Sequence, residues 1–343
     1  MKYKVTIGIP VYNSEEYIEK SILSALNQDF KDFEILLIDD CGNDQSMTIV
    51  KTIKNTDYNG ATIRIISHPQ NLGVSEARNT IIKYARGKYI YFLDSDDYIE
   101  PNTIKELYKT AELNHSEATY GSSYICRDGK TSIFFQYENR LFTMKDEFAF
   151  YAYSSIKTKI QTSVWNILLL TSHLRENHLS FPNMNIGEDF LFTDELLGTL
   201  KRVATTNLLT YHYIIREKSL SNYQLRDIIN YNEVHNSLNR AFLLIDRCKA
   251  SKNCPYFPNK CIYIMKQNLY VVFGIIKHRH QITKPISNKE ICDVIKHPAT
   301  LPQIAFFKEK KTLNIGLFIL SKLPVFLKIS IATFFGKKKG YIK

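Results

Sequence analysis

The chain has 343 residues, enough to bury a sizeable core, and its 44% hydrophobic content with 22 Tyr and 20 Phe excludes a disordered polypeptide. The formal net charge of +11 is unevenly placed: residues 308–343 hold nine Lys against one Glu, a local +8 that leaves +3 for everything before them. Positive charge gathered in a tail, and not striped across a folded domain, argues against a nucleic-acid enzyme.

Val5 to Ile9 reads as a short buried strand that Pro10 ends, because proline has no N–H to give to a ladder. Asn13 is expected to cap the helix that follows, with Glu16 three residues on and Ile18, Ile22, Ala25 and Leu26 along one face. The strand, loop, helix unit then recurs. Glu34 to Ile38 is a second strand running into Asp39 and Asp40, and Thr62 to Ile66 is a third. Ser75 is expected to cap a helix carrying Ala77, Ile81, Ile82 and Ala85 that Gly87 stops. Tyr89 to Leu93, the fourth strand, runs directly into Asp94-Ser-Asp-Asp97. Continuous apolar strands alternating with amphipathic helices predict an α/β fold with a mainly parallel sheet and helices on both faces.

After Pro101 the alternation fades. Residues 103–114 read as helix, 118–137 as strands turning at Asp128-Gly129, and 144–153 as helix again. Gly187 opens a further helix with Glu188 and Asp189 in its first turn, where the macrodipole favours acids. From about 225 to 285 the pattern is helical and carries no chemical motif. The six cysteines form no Cys-x-x-Cys pair and have no nearby histidine at zinc-finger spacing; Cys254 and Cys261, flanked by prolines, read as an interhelical loop. Met1-Lys-Tyr-Lys leads directly into a strand without an apolar h-region, so reduced thiols and a cytoplasmic location are expected.

Ligands of such sheets sit at the carboxyl ends of the strands. There the chain places Tyr12 and Asn13, then Asp39 and Asp40, then Asp94, Ser95 and Asp96. Three carboxylates within four positions repel one another unless something neutralises them. Two acids one residue apart suit a hard divalent cation that also grips a phosphate ligand, since such ions are held by one or two carboxylates plus substrate oxygens.

Five segments, Ile9-Pro-Val-Tyr-Asn13, Ile38-Asp-Asp-Cys-Gly-Asn-Asp-Gln-Ser46, Asn71-Leu-Gly-Val-Ser-Glu-Ala-Arg-Asn79, Phe92-Leu-Asp-Ser-Asp-Asp97 and Gly187-Glu-Asp189, resemble in order and spacing the motifs of glycosyltransferase family 2. The resemblance covers about residues 3–222. It implies a glycosyltransferase A-type, Rossmann-like fold followed by a mainly helical C-terminal extension, and transfer of a sugar from a nucleotide-diphosphate sugar with Mn2+ or Mg2+ as cofactor. By resemblance Asp96 is the direct metal ligand, Asp94 contacts the ribose or the metal through water, and Ser95 lies among the donor contacts; Asp97 starts the next turn. Pro10, Tyr12 and Asn13 match base and ribose contacts, one of Asp39 and Asp40 (Asp40 slightly favoured) accepts from the base N–H, and Arg78 sits near the nucleotide. The family's Asp-Asp-Gly-Ser stands here as Asp39-Asp-Cys-Gly42, so the turn after the second strand is expected to differ.

Asp189, with Glu188 in support, matches the family's general base, which implies inversion at the anomeric carbon. Tyr211 to Ser219 resembles a segment that closes over the donor; Ile214 replaces its first arginine, which leaves Arg216 for the diphosphate and His212 as a third metal contact. No Gln-x-x-Arg-Trp occurs in a chain whose one tryptophan is Trp165, so addition of one sugar per event is expected.

Leu313 to Phe335 is apolar, yet Lys322, Pro324 and Lys328 interrupt it and Lys337 to Lys339 follow. That composition suits a segment lying on an anionic membrane surface better than one spanning it. The expected division is therefore a catalytic domain over 1–222 (a nucleotide half, 1–100, and an acceptor half, 101–222), a helical extension over 223–300 and a membrane-associating tail over 301–343. The expected setting is the inner face of the cell membrane, with a saccharide or lipid-linked saccharide acceptor in bacterial surface polysaccharide assembly. A nucleotidyltransferase would carry a Gly-rich phosphate loop after the first strand, which Pro10-Val-Tyr-Asn13 is not. A catalytically silent scaffold of the same fold is opposed by Glu188-Asp189 beside an intact Asp-x-Asp.

Overall fold

The computed structural model describes residues 2–57, 60–154, 161–184, 186–216 and 227–342. In chain order the elements are β1 (Tyr3–Val11), α1 (Ile18–Leu26), β2 (Phe33–Asp39), α2 (Ser46–Thr56), β3 (Ile63–Ser67), α3 (Val74–Tyr84), β4 (Gly87–Phe92), β5 (Tyr98–Ile99), α4 (Thr103–Asn114), β6 (Ala118–Arg127), β7 (Lys130–Phe135), β8 (Arg140–Phe142), α5 (Glu147–Ser154), β9 (Ile167–Leu170), α6 (Thr171–Glu176), α7 (Glu188–Thr199) and β10 (Val203–Ile214). Among the described residues after β10 the longer elements are helices: α8 (Tyr231–Ala250), α9 (Phe257–His278), α10 (Asn288–Asp293), α11 (Leu301–Ala305), α12 (Lys311–Lys322) and α13 (Val325–Lys338).

The strands form one mixed sheet in the order β3-β2-β1-β4-β9-β6-β10-β5, with β7 on β6 and β8 on β10. The first four in this order run parallel, as their continuous apolar sequence requires: Val5, Ile7 and Ile9 of β1 and Ile35 to Ile38 of β2 are buried whichever face they point to. Antiparallel β9 joins β4 to β6, and β6 pairs with β10 in parallel again.

Several local expectations shift. Asn13 does not cap α1, which begins at Ile18; Asn13 takes φ +47° and accepts a hydrogen bond from the Asn43 N–H at 2.8 Å. Ser75 lies inside α3, whose cap position is Gly73, and Gly87 is the first residue of β4. Within the stretch expected to be helical, the described residues form two helices, α8 and α9, separated by 251–256 around Pro255. The expected hairpin is present, with Asp128 and Gly129 both at positive φ between β6 and β7.

The chain divides into two compact units, Met1–Phe148 with Ile156–Ile215, and Ala149–Ser155 with Arg216–Lys343. The boundary expected at 222 and the end of the expected donor-covering segment lie outside the described residues.

Candidate active site

The register of the parallel strands brings three loops together. Pro10 pairs with Ile38 and Val11 with Asp39 on one side of β1, while Gly8 pairs with Phe92 on the other. Beyond the strands the first two loops are zipped: the Asp40 N–H donates to Val11 O (3.0 Å), the Ser14 N–H to Ser46 Oγ (2.9 Å) and the Glu15 N–H to Asp44 Oδ2 (2.8 Å). Tyr12 stands out from this zip at 47% exposure, an open ring face.

The two acids after β2 have different surroundings. Asp40 is buried and receives the Leu72 and Gly73 N–H groups at 2.9 and 2.8 Å, with His68 Nδ1 at 2.7 Å, so it anchors the loop that leads into α3. Asp39 is half-buried and is met by the Cys41 N–H and the Ser67 hydroxyl, each at 3.1 Å. The altered Asp-Asp-Cys-Gly turn has a geometric reason. Cys41 adopts φ +56°, and a Cβ at residue 42 would stand 2.8 Å from Asn13 Oδ1 and 2.9 Å from its backbone nitrogen, so the glycine is needed one position later.

At the end of β4, Asp94, Asp96 and Asp97 each offer a carboxylate oxygen within 4.8 Å of the others. Asp97 does more than start a turn. It is buried, accepts from the Tyr211 hydroxyl (2.6 Å) and the Ile214 N–H (2.8 Å), and its pKa is pushed well up by burial and then by Asp96 and Asp94. Trp165 stacks on Tyr211 at 4.5 Å, which backs that contact with an aromatic wall. The donor set is all hard oxygen and carries excess negative charge, so it fits a divalent cation of the Mg2+ or Mn2+ kind.

The second acidic pair joins this cluster through Arg78. Its Nη2 donates to Asp94 Oδ1 at 2.8 Å and its Nη1 to Glu188 Oε1 at 2.7 Å, and the guanidinium is buried. Burial opposes its charge, but Asp94, Glu188 and Asp189 together raise its pKa. The neighbours of Arg78 on α3 fasten the same segment: the Ser75 hydroxyl donates to Met184 O (2.9 Å), Asn79 Nδ2 donates to Phe181 O (3.0 Å) and the Phe181 N–H to Asn79 Oδ1 (2.7 Å). Positions 75, 78 and 79 share a helix face, so one turn of α3 clasps the chain that leads to Gly187. Gly187 then turns at φ +80°, a conformation glycine alone takes without strain, and sets Glu188 and Asp189 at the start of α7. Asp189 keeps part of its surface open, yet burial and then Glu188 push its pKa up to about 7, with Arg78 and the Phe190 N–H opposing.

The sequence profile described as "Glycosyl transferase family 2" matches residues 6–171. The chain carries a glycosyl transferase family 2 domain. Among curated relatives of this family, poly(ribitol-phosphate) beta-N-acetylglucosaminyltransferase TarP of Staphylococcus aureus is 28% identical over 73% of this chain and 74% of its own length. Glycosyltransferase GlyA of Streptococcus pneumoniae is 30% identical over 64% of this chain and 31% of its own. Against three of the curated relatives the match spans only 31% to 48% of their own lengths. The solved structure of S. aureus TarS 1-349 in complex with UDP-GlcNAc shares the fold, with a TM-score of 0.64 at 19% identity over 93% of this chain and 90% of that one. The mixed sheet with a helical C-terminal region is thus the glycosyltransferase A-type fold of the family.

One expected member of the family 2 site stands apart. The structure does not bring His212 into the aspartate cluster; its ring is stacked between Tyr98 (4.2 Å) and Tyr124 (4.8 Å), with Nε2 on Glu100 Oε1 at 2.6 Å. Arg216 belongs to the second compact unit, two residues past the end of β10. Conversely, the clasp on α3 and the struts Asp97 and Tyr211 had no local signal, because their partners lie 102 to 117 residues away.

Proposed function

We propose that the chain is an inverting glycosyltransferase that moves one sugar per event from a nucleotide-diphosphate sugar to a saccharide or lipid-linked saccharide acceptor in bacterial surface polysaccharide assembly. The observation that carries this reading is the Arg78 bridge, 2.8 Å from Asp94 and 2.7 Å from Glu188, which ties the acidic donor loop to the acidic helix start. TarP and TarS, both named poly(ribitol-phosphate) beta-N-acetylglucosaminyltransferases, and the TarS complex with UDP-GlcNAc support sugar transfer from a nucleotide-diphosphate sugar as the reaction class.

In this reading Asp189 takes the proton of the acceptor hydroxyl as its oxygen bonds to the anomeric carbon, and the sugar–phosphate bond breaks on the opposite side to release the nucleoside diphosphate. A carboxylate with a pKa of about 7 has the proton affinity this step needs near neutral pH. Arg78 holds Glu188 beside it, so Glu188 positions the base. Tyr12 offers its open ring to the nucleobase, next to Pro10 and Asn13, and Ser95 lies in the donor loop. Asp39 is the acid assigned to the base N–H, because Asp40 already holds two backbone N–H groups and His68. Asp94 and Asp96 would hold Mn2+ or Mg2+, which stabilises the charge of the departing diphosphate. Arg216 is assigned to that diphosphate. The enzyme works at the inner face of the cell membrane, as the local +8 of residues 308–343 suggests.

The test is thermal shift and slow donor hydrolysis with Mn2+ and a panel of UDP-, GDP- and dTDP-sugars. One sugar nucleotide should stabilise the protein only with metal present, and Asp96→Ala should abolish that shift. Stabilisation that ignores metal, or survives in Asp96→Ala, would rule out the metal-bridged donor.

A further inference from the structure

Helices α12 and α13 are built inside out. A helix on a protein surface ordinarily turns its apolar stripe to the core and its polar face to water. α12 instead buries Asn314 and Ser321. Asn314 Nδ2 donates to Pro258 O at 3.2 Å, and its Oδ1 lies 3.0 Å from His297 Nε2. On the outer side Leu313 and Ile319 are 48% and 55% exposed. α13 repeats the inversion: it buries Ala332 and Gly336 and leaves Phe326, Phe334 and Phe335 at 67%, 62% and 49% exposure. Single exposed apolar residues are ordinary, but three phenylalanines with a leucine and an isoleucine on two successive helices mark a surface that something covers.

The charge says what. Lys308, Lys310 and Lys311 stand before and at the start of α12, and Lys337, Lys338 and Lys339 close α13, with Glu309 the one acid in 308–343. A second copy of this chain would bring the same +8 against itself. No described helix is long and apolar enough to cross a membrane.

We infer that the outward faces of α12 and α13 lie in the plane of an anionic bilayer surface. The phenylalanines enter the acyl boundary and the flanking lysines meet the lipid phosphates. The inference rests on the membrane setting proposed above and names the surface that supplies it.

Flotation of the full chain with vesicles tests it. The protein should float with phosphatidylcholine vesicles containing phosphatidylglycerol, stay behind with phosphatidylcholine alone, and be released as salt rises. Replacing Phe326, Phe334 and Phe335 together by Ser should weaken partitioning at least about tenfold, and Lys337→Gln with Lys338→Gln and Lys339→Gln should remove the preference for anionic lipid. A wild-type chain that ignores both vesicle types, or a Phe variant that floats as well as wild type, overturns the inference. So does a Phe variant that dissolves a dimer without changing flotation, since the face then belongs to a second copy. The donor thermal shift on the same variants separates the two claims: a kept shift with lost flotation supports the surface, and kept flotation with no donor shift overturns the catalytic reading alone.

Discussion

The β1–β4 half and the α12–α13 pair use the same residue types in opposite ways. In the first, Ile, Leu, Val and Phe go inward and the acids collect at strand ends; in the second, Asn314 and Ser321 go inward while phenylalanines face out. An apolar pattern says that a face leaves water, and it does not say whether protein or lipid receives it. The strand half has a single apolar sink, its own core. The terminal helices behave as though a second sink lay outside the protein.

The sharpest way to break the contrast is at Arg78. Arg78→Leu leaves Asp94 and Glu188 facing each other without their shared cation, and should cost about 3–5 kcal/mol by chemical denaturation; Arg78→Lys should recover little of it, because one ammonium cannot reproduce the fork. A cost no larger than that of a surface ion pair would mean that the bridge does not hold the two loops. Next comes burial itself. Ile38→Ala should lose about 2–5 kcal/mol as a core truncation, whereas Phe334→Ser should stay within about 0.5 kcal/mol in lipid-free solution. Equal losses would place Phe334 in a core and remove the contrast.

A third test is a pH dependence. Asp189 is raised from 3.8 to about 7 in the folded chain, so the folded state holds this proton more tightly than the unfolded state does. Its contribution to stability is therefore lost as pH rises from about 4 and the loss is complete above about 7. Asp189→Asn should gain in melting temperature relative to wild type across that window and run parallel to it below. A constant difference from pH 4 to 8 would show that Asp189 ionises normally.

Much of the catalytic unit was legible in the sequence because its signals are local. Uninterrupted apolar runs give parallel strands, and acids directly after them give the strand-end cluster, so Asp94, Asp96, Asp39 and Asp40 stand at strand ends as expected. What local pattern misread depends on partners far along the chain. Asn13 looks like a helix cap, but the loop 30 residues away claims its side chain. Asp40, slightly favoured by resemblance for the base N–H, also anchors Leu72 and Gly73, 32 and 33 residues away. Arg78, placed near the nucleotide by resemblance, also spans the 16 and 110 residues to Asp94 and Glu188, which no local pattern shows. His212 matched a metal position by order alone, and two tyrosine rings and Glu100 occupy it. The inversion of α12 and α13 was hidden for a related reason: composition showed a basic apolar tail, and only the packing reveals which side faces out.

The central claim is that Asp189 removes the acceptor proton while the loops at the ends of β1, β2 and β4 hold the donor. Asp189→Asn keeps the shape of the side chain and removes its basicity. The most direct measurement is that variant's sugar transfer beside its donor- and Mn2+-dependent thermal shift. The expected result is an unchanged shift with transfer slowed by about 10² to 10⁴. Transfer at the wild-type rate would contradict it.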